Sequence, residues 1–263
     1  MDYPLEVSLE TQALCNAACT FCPYPTMERK GVKMSDEMLE KVVTEFISWG
    51  RTMYFSPFKV NEPLLDPRTL PLCERVNREA PQIRLRLFTN GSALTPSRID
   101  EIANLKNVEH LWISLNEHRP DEYQKLMGLR FDITAKRLDD LHSRDFPHPV
   151  VLSTVGFPNE DFRRYCFERW PKFESTALKR DAWLGQIDPQ AGGVPDSPCS
   201  RWFELSITAE GKSSRCCMDG EARHGFGDIN SQSLYEIYNH PDLRAMRESL
   251  ADNGGRSRTD FGC

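Results

Sequence analysis

Residues 5–22 read LEVSLETQALCNAACTFC, a short alternating segment that runs directly into three cysteines, Cys15, Cys19 and Cys22. Val7, Leu9 and Thr11 fall on one face, as in a strand. The cysteines stand four and three residues apart, in a stretch whose Asn16, Thr20, Pro23, Pro25 and Gly31 describe a loop. Three thiolates on one loop can hold three corners of a four-iron cluster. With no fourth cysteine nearby, one iron would remain open to a chelating ligand from outside the chain. Two plainer readings stand beside this one. The cysteines could be core residues, or they could bind zinc, although structural zinc usually asks for two CxxC pairs or added histidines.

Working outward, Ser35 is placed as an N-cap with Asp36 and Glu37 in the first turn, where acidic side chains favour the helix dipole. Met38, Leu39, Val42, Val43, Phe46 and Ile47 give the apolar helical face, and Gly50 ends it. The alternation then repeats. Strands are predicted at Thr52–Phe58, Ile83–Thr89, Val108–Leu115, Val150–Val155 and near Thr176–Lys179. Helices are predicted near Leu70–Glu79 and Ser97–Asn107, within Asp121–Arg144, and at Glu160–Trp170. Roughly six strands alternating with helices imply an α/β fold with a parallel sheet and right-handed crossovers. Alternation alone is compatible with an open sheet or a partial barrel.

After Gln190 the pattern changes. AGGVPDSP reads as a linker. Glu204–Thr208, the turn pair Glu210-Gly211 and Ser213–Cys217 give a short hairpin signal. Helices near Ser233–Asn239 and Pro241–Leu250 follow. This divides the chain into residues 1–190 and a smaller unit, 191–263.

The chain has 263 residues, nine cysteines and a formal net charge of −6. The charge argues against a dedicated nucleic-acid binder. No apolar run is long enough to span a bilayer, and Met1 opens onto no signal-peptide pattern, so a cytoplasmic protein with no membrane partner is expected. In a reducing compartment the cysteines are expected to bind metal or pack rather than pair as disulfides.

The CxxxCxxC loop behind a first strand resembles the signature of the radical S-adenosylmethionine (SAM) family, and the likeness runs from Val7 to Cys263. It implies a partial (βα)6 TIM-like barrel whose Cys15, Cys19 and Cys22 bind a [4Fe-4S] cluster with SAM as cofactor. Phe21 matches the position that usually lies against the adenine. KVNEPLLDP resembles the family's GGEP-like turn, keeping Glu62 and Pro63 but carrying Val60 and Asn61 where glycines usually stand. LFTNGSAL resembles the third-strand motif, with Asn90 and Gly91. WISLNEH resembles the fourth, with Ser114 and Asn116 against the ribose or carboxylate of SAM.

CSRWFELSITAEGKSSRCC resembles the start of the SPASM/twitch extension, in which hairpin and terminal cysteines bind auxiliary iron–sulfur clusters. The likeness implies Cys199, Cys216 and Cys263 as ligands of one auxiliary [4Fe-4S] cluster, with Cys217 as the alternative to Cys216. The family's terminal CxxC is represented only by Cys263. Either the sequence is truncated, or such a cluster has three protein ligands and an open iron.

The chemistry implied is reductive cleavage of SAM, fed by an external electron donor such as flavodoxin or ferredoxin, to a 5′-deoxyadenosyl radical that takes a hydrogen atom from substrate. Oxidation (dehydrogenation) follows if an auxiliary cluster accepts the remaining electron, and epimerisation if a hydrogen donor such as Cys217 or Cys166 quenches the radical. A leader-peptide-binding domain would need about 80 further residues ahead of the first strand. The expected substrate is therefore a small polar metabolite of sugar, aminocyclitol or nucleoside type in natural-product biosynthesis. Arg180, Asp181 and Trp183 are candidate substrate contacts. Two other readings are a peptide-modifying enzyme with a separate leader-binding protein, and a non-catalytic iron–sulfur electron carrier or redox sensor.

Overall fold

The computed structural model describes residues 1–156, 159–187 and 199–253. Cys263, and the junction expected at 190/191, lie outside the described residues.

Strands β1 (Glu6–Leu9), β2 (Tyr54–Ser56), β3 (Arg84–Thr89), β4 (Val108–Ser114), β5 (Val150–Val155) and β6 (Glu174–Leu178) pair in parallel, each with the next. Helices α1 (Asp36–Ser48), α2 (Thr69–Glu79), α3 (Pro96–Asn104), α4 (Pro120–Met127), α5 (Phe131–Ser143) and α6 (Glu160–Arg169) make the crossovers. The N-cap expected at Ser35 forms, its side chain accepting from the Met38 N–H. Leu39, Val42, Val43 and Phe46 of α1 then bury against Val7, Leu9 and Phe55 on the sheet's outer face. The expected helical stretch 121–144 is two helices. Gly128 breaks it at φ +68°, the left-handed cap that ends α4.

The C-terminal hairpin is built into the same sheet. β7 (Glu204–Ile207) pairs in parallel with β1 over four residues, and β8 (Ser213–Ser214) returns antiparallel to β7. The sheet order is therefore β6-β5-β4-β3-β2-β1-β7-β8, a partial barrel open between β6 and β8. β8 is shorter than the expected Ser213–Cys217, leaving Cys216 and Cys217 in the turn beyond it. Helices α7 (Leu234–Tyr238) and α8 (Pro241–Asn253) close the chain, α7 opening on a Ser233/Glu236 capping box. Among the described residues no helix is long and apolar enough to cross a membrane.

The two faces of the sheet differ in chemistry. Leu85 and Leu87 of β3 and Leu111 and Ile113 of β4 lie in the helix-covered core. The alternate residues Arg86, Phe88, His110, Trp112 and Ser114 are only half-buried and point to the concave inner face.

Candidate cluster and cofactor site

The cysteine loop leaves β1 at the carboxyl end of the sheet, where ligands gather in parallel α/β folds. It is held from two sides. The end of α4 accepts the Ala18 N–H at the Met127 carbonyl (2.8 Å) and the Thr20 N–H at the Leu126 carbonyl (3.0 Å). From the segment after β6, Arg180 donates to the Thr20 carbonyl (3.2 Å) and Trp183 Nε1 to the Phe21 carbonyl (3.0 Å). Burial raises all three thiols above the ordinary value, Cys15 to about 12 and Cys22 to about 11. Cys15 and Cys22 are near enough to Cys19 that their thiolates would raise it further.

Close packing at Gly128 sets where this loop can sit. A Cβ there would stand 3.0 Å from the Ala18 Cβ and 3.2 Å from the Ala18 nitrogen, at a φ that L-residues avoid. Gly128→Ala is expected to cost about 1–2 kcal/mol in backbone strain and to push Ala18, which lies between Cys15 and Cys19. A lowered thermal midpoint together with reduced iron retention after anaerobic reconstitution would show it.

Around the loop stand the motif residues. Glu62 is 1% exposed and caps a short 3-10 turn, Pro63–Leu65. Its carboxylate accepts from Leu64 N–H (3.2 Å), the Thr89 hydroxyl (2.8 Å) and Asn90 N–H (2.7 Å). Burial nevertheless raises its pKa to about 7. Three of a carboxylate's roughly four acceptor sites are thus used, which leaves room for one more donor. Asn90 Nδ2 donates to Asn16 Oδ1 (2.8 Å), and Asn16 Nδ2 to Ser92 Oγ (2.9 Å), lacing the cysteine loop to the end of β3. Gly91 turns at φ +81°, where a Cβ would meet Ile113 Cγ2 at 3.0 Å.

Ser114 ends β4, and its carbonyl accepts from Asn116 Nδ2 (3.1 Å). Asn116 adopts φ +65°, its N–H bound to the Ser153 carbonyl (2.8 Å). The same Nδ2 reaches the Met127 sulfur (3.1 Å), which also receives the Cys19 thiol (3.4 Å). Asn116 Oδ1 is buried without a hydrogen-bond partner among the described residues. A cavity of about 660 Å³ opens beside it, lined by Phe21, Asn116, Glu117, Thr154, Asn159 and Arg180 among others.

One residue pair further down the inner face is an aromatic layer that sequence reasoning missed. Phe88 lies two residues before Asn90, and Trp112 two before Ser114, so each shares its partner's face. Phe88 and Trp112 are direct cross-strand partners. Phe58 stacks on Phe88 with ring centroids 5.0 Å apart, and His110 lies edge-on to both Phe88 (5.6 Å) and Trp112 (5.5 Å). Trp112 Nε1 donates to Ser153 Oγ (2.8 Å), which fixes the indole and leaves its face to other contacts. None of these four rings belongs to the helix-packed core. Aromatics two residues before Asn90 and Ser114, on the same strand faces, were the available signal.

Of the remaining expected residues, Arg180 lines the cavity. Trp183 packs with Tyr24, Met27 and Val60 beside Cys15 and Cys22, so it braces the cysteine loop. Asp181 is exposed and lines none of the described cavities. Cys166 is fully buried on α6 in the core cluster that also holds Phe162 and Trp170, on the far side of the sheet from the aromatic layer. Cys199 and Cys216 are buried, before β7 and just beyond β8 respectively, and Cys217 is half-buried.

The cysteine loop and the hairpin region meet at Glu10, which is fully buried. Arg29, seven residues past Cys22, pairs with both Glu10 oxygens and donates to the Gly220 carbonyl through Nη2 (2.6 Å) and Nε (2.9 Å). Ala209 N–H (3.1 Å) and Val60 N–H (3.4 Å) also donate to Glu10.

A partial parallel barrel with a three-cysteine loop behind β1, and with motif residues from β2, β3 and β4 gathered around it, defines a radical SAM fold. The chain belongs to the radical SAM superfamily, whose model matches residues 9–165. The model of an iron–sulfur cluster-binding domain, SPASM, matches residues 199–260. Among solved structures, BtrN in complex with AdoMet and 2-DOIA has a TM-score of 0.66 at 16% identity, covering 98% of this chain and 91% of that one. Streptococcus suis SuiB bound to precursor peptide SuiA gives 0.72 at 13% identity, over 95% and 67% of the two chains. Native anSMEcpe with bound AdoMet gives 0.67 at 14%, over 92% and 82%. At such identities the likeness is one of fold. A curated protein, the Protein pelota homolog of Methanosarcina acetivorans, is 28% identical over 141 residues, 51% of this chain, which spans 40% of that protein's length.

The family's cofactors are a SAM-bound [4Fe-4S] cluster and, with a SPASM domain, auxiliary iron–sulfur clusters. Among the described residues no three His, Cys, Asp or Glu side chains already stand as a metal cage. The fit lies in the donors: three thiols on one braced loop, a buried carboxylate with an acceptor site to spare, and Asn116, which lines the same cavity as Phe21.

Proposed function

We propose that this chain is a cytoplasmic radical SAM oxidoreductase acting on a small, polar, ring-bearing metabolite of sugar, aminocyclitol or nucleoside type in natural-product biosynthesis. Cys15, Cys19 and Cys22 would hold the cluster, and Phe21, Glu62, Pro63, Asn90, Gly91, Ser114 and Asn116 would surround SAM. When bound and reduced by a ferredoxin or flavodoxin, the cluster and SAM supply a carbon-centred radical able to take a hydrogen atom from an unactivated carbon.

The protein's part is to hold the substrate and keep water out. The observation that carries this reading is the Phe58–Phe88–Trp112 layer directly beneath Asn90 and Ser114. Aromatic faces are electronegative and attract the electropositive C–H groups or ammonium of a saturated ring. Ser114, half-buried at the layer's edge, is placed to meet a hydroxyl. A bare electron carrier would have no use for such a layer. Removal of the last electron by an auxiliary cluster would give dehydrogenation; epimerisation would need a hydrogen donor, and since Cys166 lies across the sheet from this layer, that role would fall to Cys217.

The test is deuterium transfer. Reconstituted protein, SAM and dithionite are incubated with a panel of perdeuterated aminocyclitols, sugars and nucleosides, and with peptides. Deuterium appearing in 5′-deoxyadenosine from a ring substrate is expected. Transfer from peptides alone would overturn the substrate class and favour the peptide-modifying reading, for which the fold shared with SuiB is the support. Trp112→Ala is expected to weaken ring binding by about 1–2 kcal/mol, roughly a tenfold rise in KM. SAM cleavage without substrate should stay unchanged, because Trp112 lies a layer below the motif residues.

A further inference from the structure

Lys59 is 2% exposed, yet among the described residues it makes no ion pair. Its Nζ donates to Ser214 Oγ (2.7 Å), Ser206 Oγ (3.4 Å) and the Cys216 carbonyl (3.5 Å), all neutral acceptors. Ser214 Oγ itself donates to the same carbonyl (3.1 Å), so lysine and serine together clamp the turn that carries Cys216 and Cys217. The carboxylate nearest in charge, Glu10, is already taken by Arg29.

An ammonium removed from water without a counter-charge is costly, and folds rarely retain one unless an anion belongs beside it. The groups that could supply that anion are the two thiols. A second cation stands close in the chain to the other ligand: Arg201 is two residues past Cys199 and bonds Glu204 at 3.0 Å.

We propose that Lys59, assisted by Arg201, is the counter-charge for an auxiliary iron–sulfur cluster seated at Cys199 and Cys216, positioning the ligand turn and raising the cluster's reduction potential. This rests on the reading of those cysteines as cluster ligands. The sign follows from charge. A thiolate-ligated cluster is negative and becomes more so by one unit on reduction, so a buried cation nearby stabilises the reduced form more than the oxidised one. Lys59 is therefore a positioning and tuning residue, three positions before Glu62. One turn after β2 would then serve both ends of the inner face.

The test uses the full reconstituted chain, monitored by EPR during a redox titration with and without SAM. SAM alters the signal of the cluster it binds, so the signal indifferent to SAM reports the auxiliary one. Lys59→Met removes the charge at similar length, and Lys59→Arg restores it. In Lys59→Met the SAM-indifferent signal is expected to keep its intensity or weaken, with its midpoint shifted to more negative potential. Lys59→Arg should return toward wild type, and Arg201→Met should give a smaller shift of the same sign.

A wild-type midpoint in Lys59→Met, with both clusters loaded, would overturn the assignment. So would a loss of the signal that Lys59→Arg fails to restore. Wild-type protein holding about four irons rather than about eight, with no SAM-indifferent signal, would remove the auxiliary cluster itself and the proposal with it. That failure is told apart because it arises before any substitution. If Lys59→Met does not fold, Arg201→Met still decides, since the Arg201 side chain is only about half-buried.

Discussion

Replacing Arg29 with methionine should cost the fold about 3–5 kcal/mol, the penalty typical of removing one partner from a buried ion pair. Glu10 has no access to solvent, and Arg29 is 5% exposed. Without the guanidinium, the carboxylate keeps, among the described residues, the Ala209 and Val60 N–H groups alone, and the Gly220 carbonyl loses the Arg29 donors. A loss of that size is a large part of the 5–15 kcal/mol that holds a typical domain together. It should also have a local signature, because Glu10 joins the exit of the cysteine loop to the hairpin and to the segment beyond Cys217. Urea denaturation of anaerobic protein measures the loss. Pairing Arg29→Met with Glu10→Gln should recover part of it, since a neutral amide can still accept from Ala209 without leaving a bare charge. A single variant within 1 kcal/mol of wild type, or a double variant worse than the single, would contradict this account.

Neither residue was legible as a pair in the sequence. Glu10 sits in an alternating strand and Arg29 in a polar loop, so each reads as a solvated charge. What the sequence carries well is local. Ser35 with Asp36 and Glu37 marks the start of α1, and the β/α alternation gives the first six strands in order. The spacing of the three cysteines and of Glu62, Asn90 and Ser114 behind them carries the family, because each motif falls at the end of a strand that does form.

Information that depends on partners was not there to read. The hairpin signal at Glu204–Cys217 gives two strands but cannot say that β7 will lie parallel to β1 and extend the sheet. That pairing depends on Leu205 and Ile207 sharing a buried layer with Val7 and Leu9. In the same way Phe58, Phe88 and Trp112 look like ordinary strand aromatics one at a time. Only the register of β3 on β4 makes them one surface. Lys59 looks like any surface lysine until the turn after β8 closes over it.

Single replacement by alanine of seven of the nine cysteines should separate three groups that thiol chemistry alone does not. Burial pushes the thiols of Cys15, Cys73, Cys166 and Cys217 all to about 12, so acidity cannot tell a ligand from a core residue. Placement can. Cys73 and Cys166 are fully exposed to neither solvent nor cavity and pack within the helix-covered core, where each alanine leaves a small void and little else. These two variants should keep about eight irons per chain and full SAM cleavage, with a modest stability loss of about 1–2 kcal/mol. Cys15→Ala, Cys19→Ala and Cys22→Ala should each lose about half the iron and all detectable 5′-deoxyadenosine, because a cluster held at three corners has no protein ligand to spare. Cys199→Ala and Cys216→Ala should lose the other half while retaining SAM cleavage, since neither lies on the loop that α4 and Trp183 brace. Iron and sulfide analysis beside a 5′-deoxyadenosine assay reads all seven variants. Cleavage surviving in Cys19→Ala would remove the N-terminal loop from the chemistry, whereas its loss in Cys166→Ala would bring α6 into the site and reopen the assignment of a hydrogen donor there.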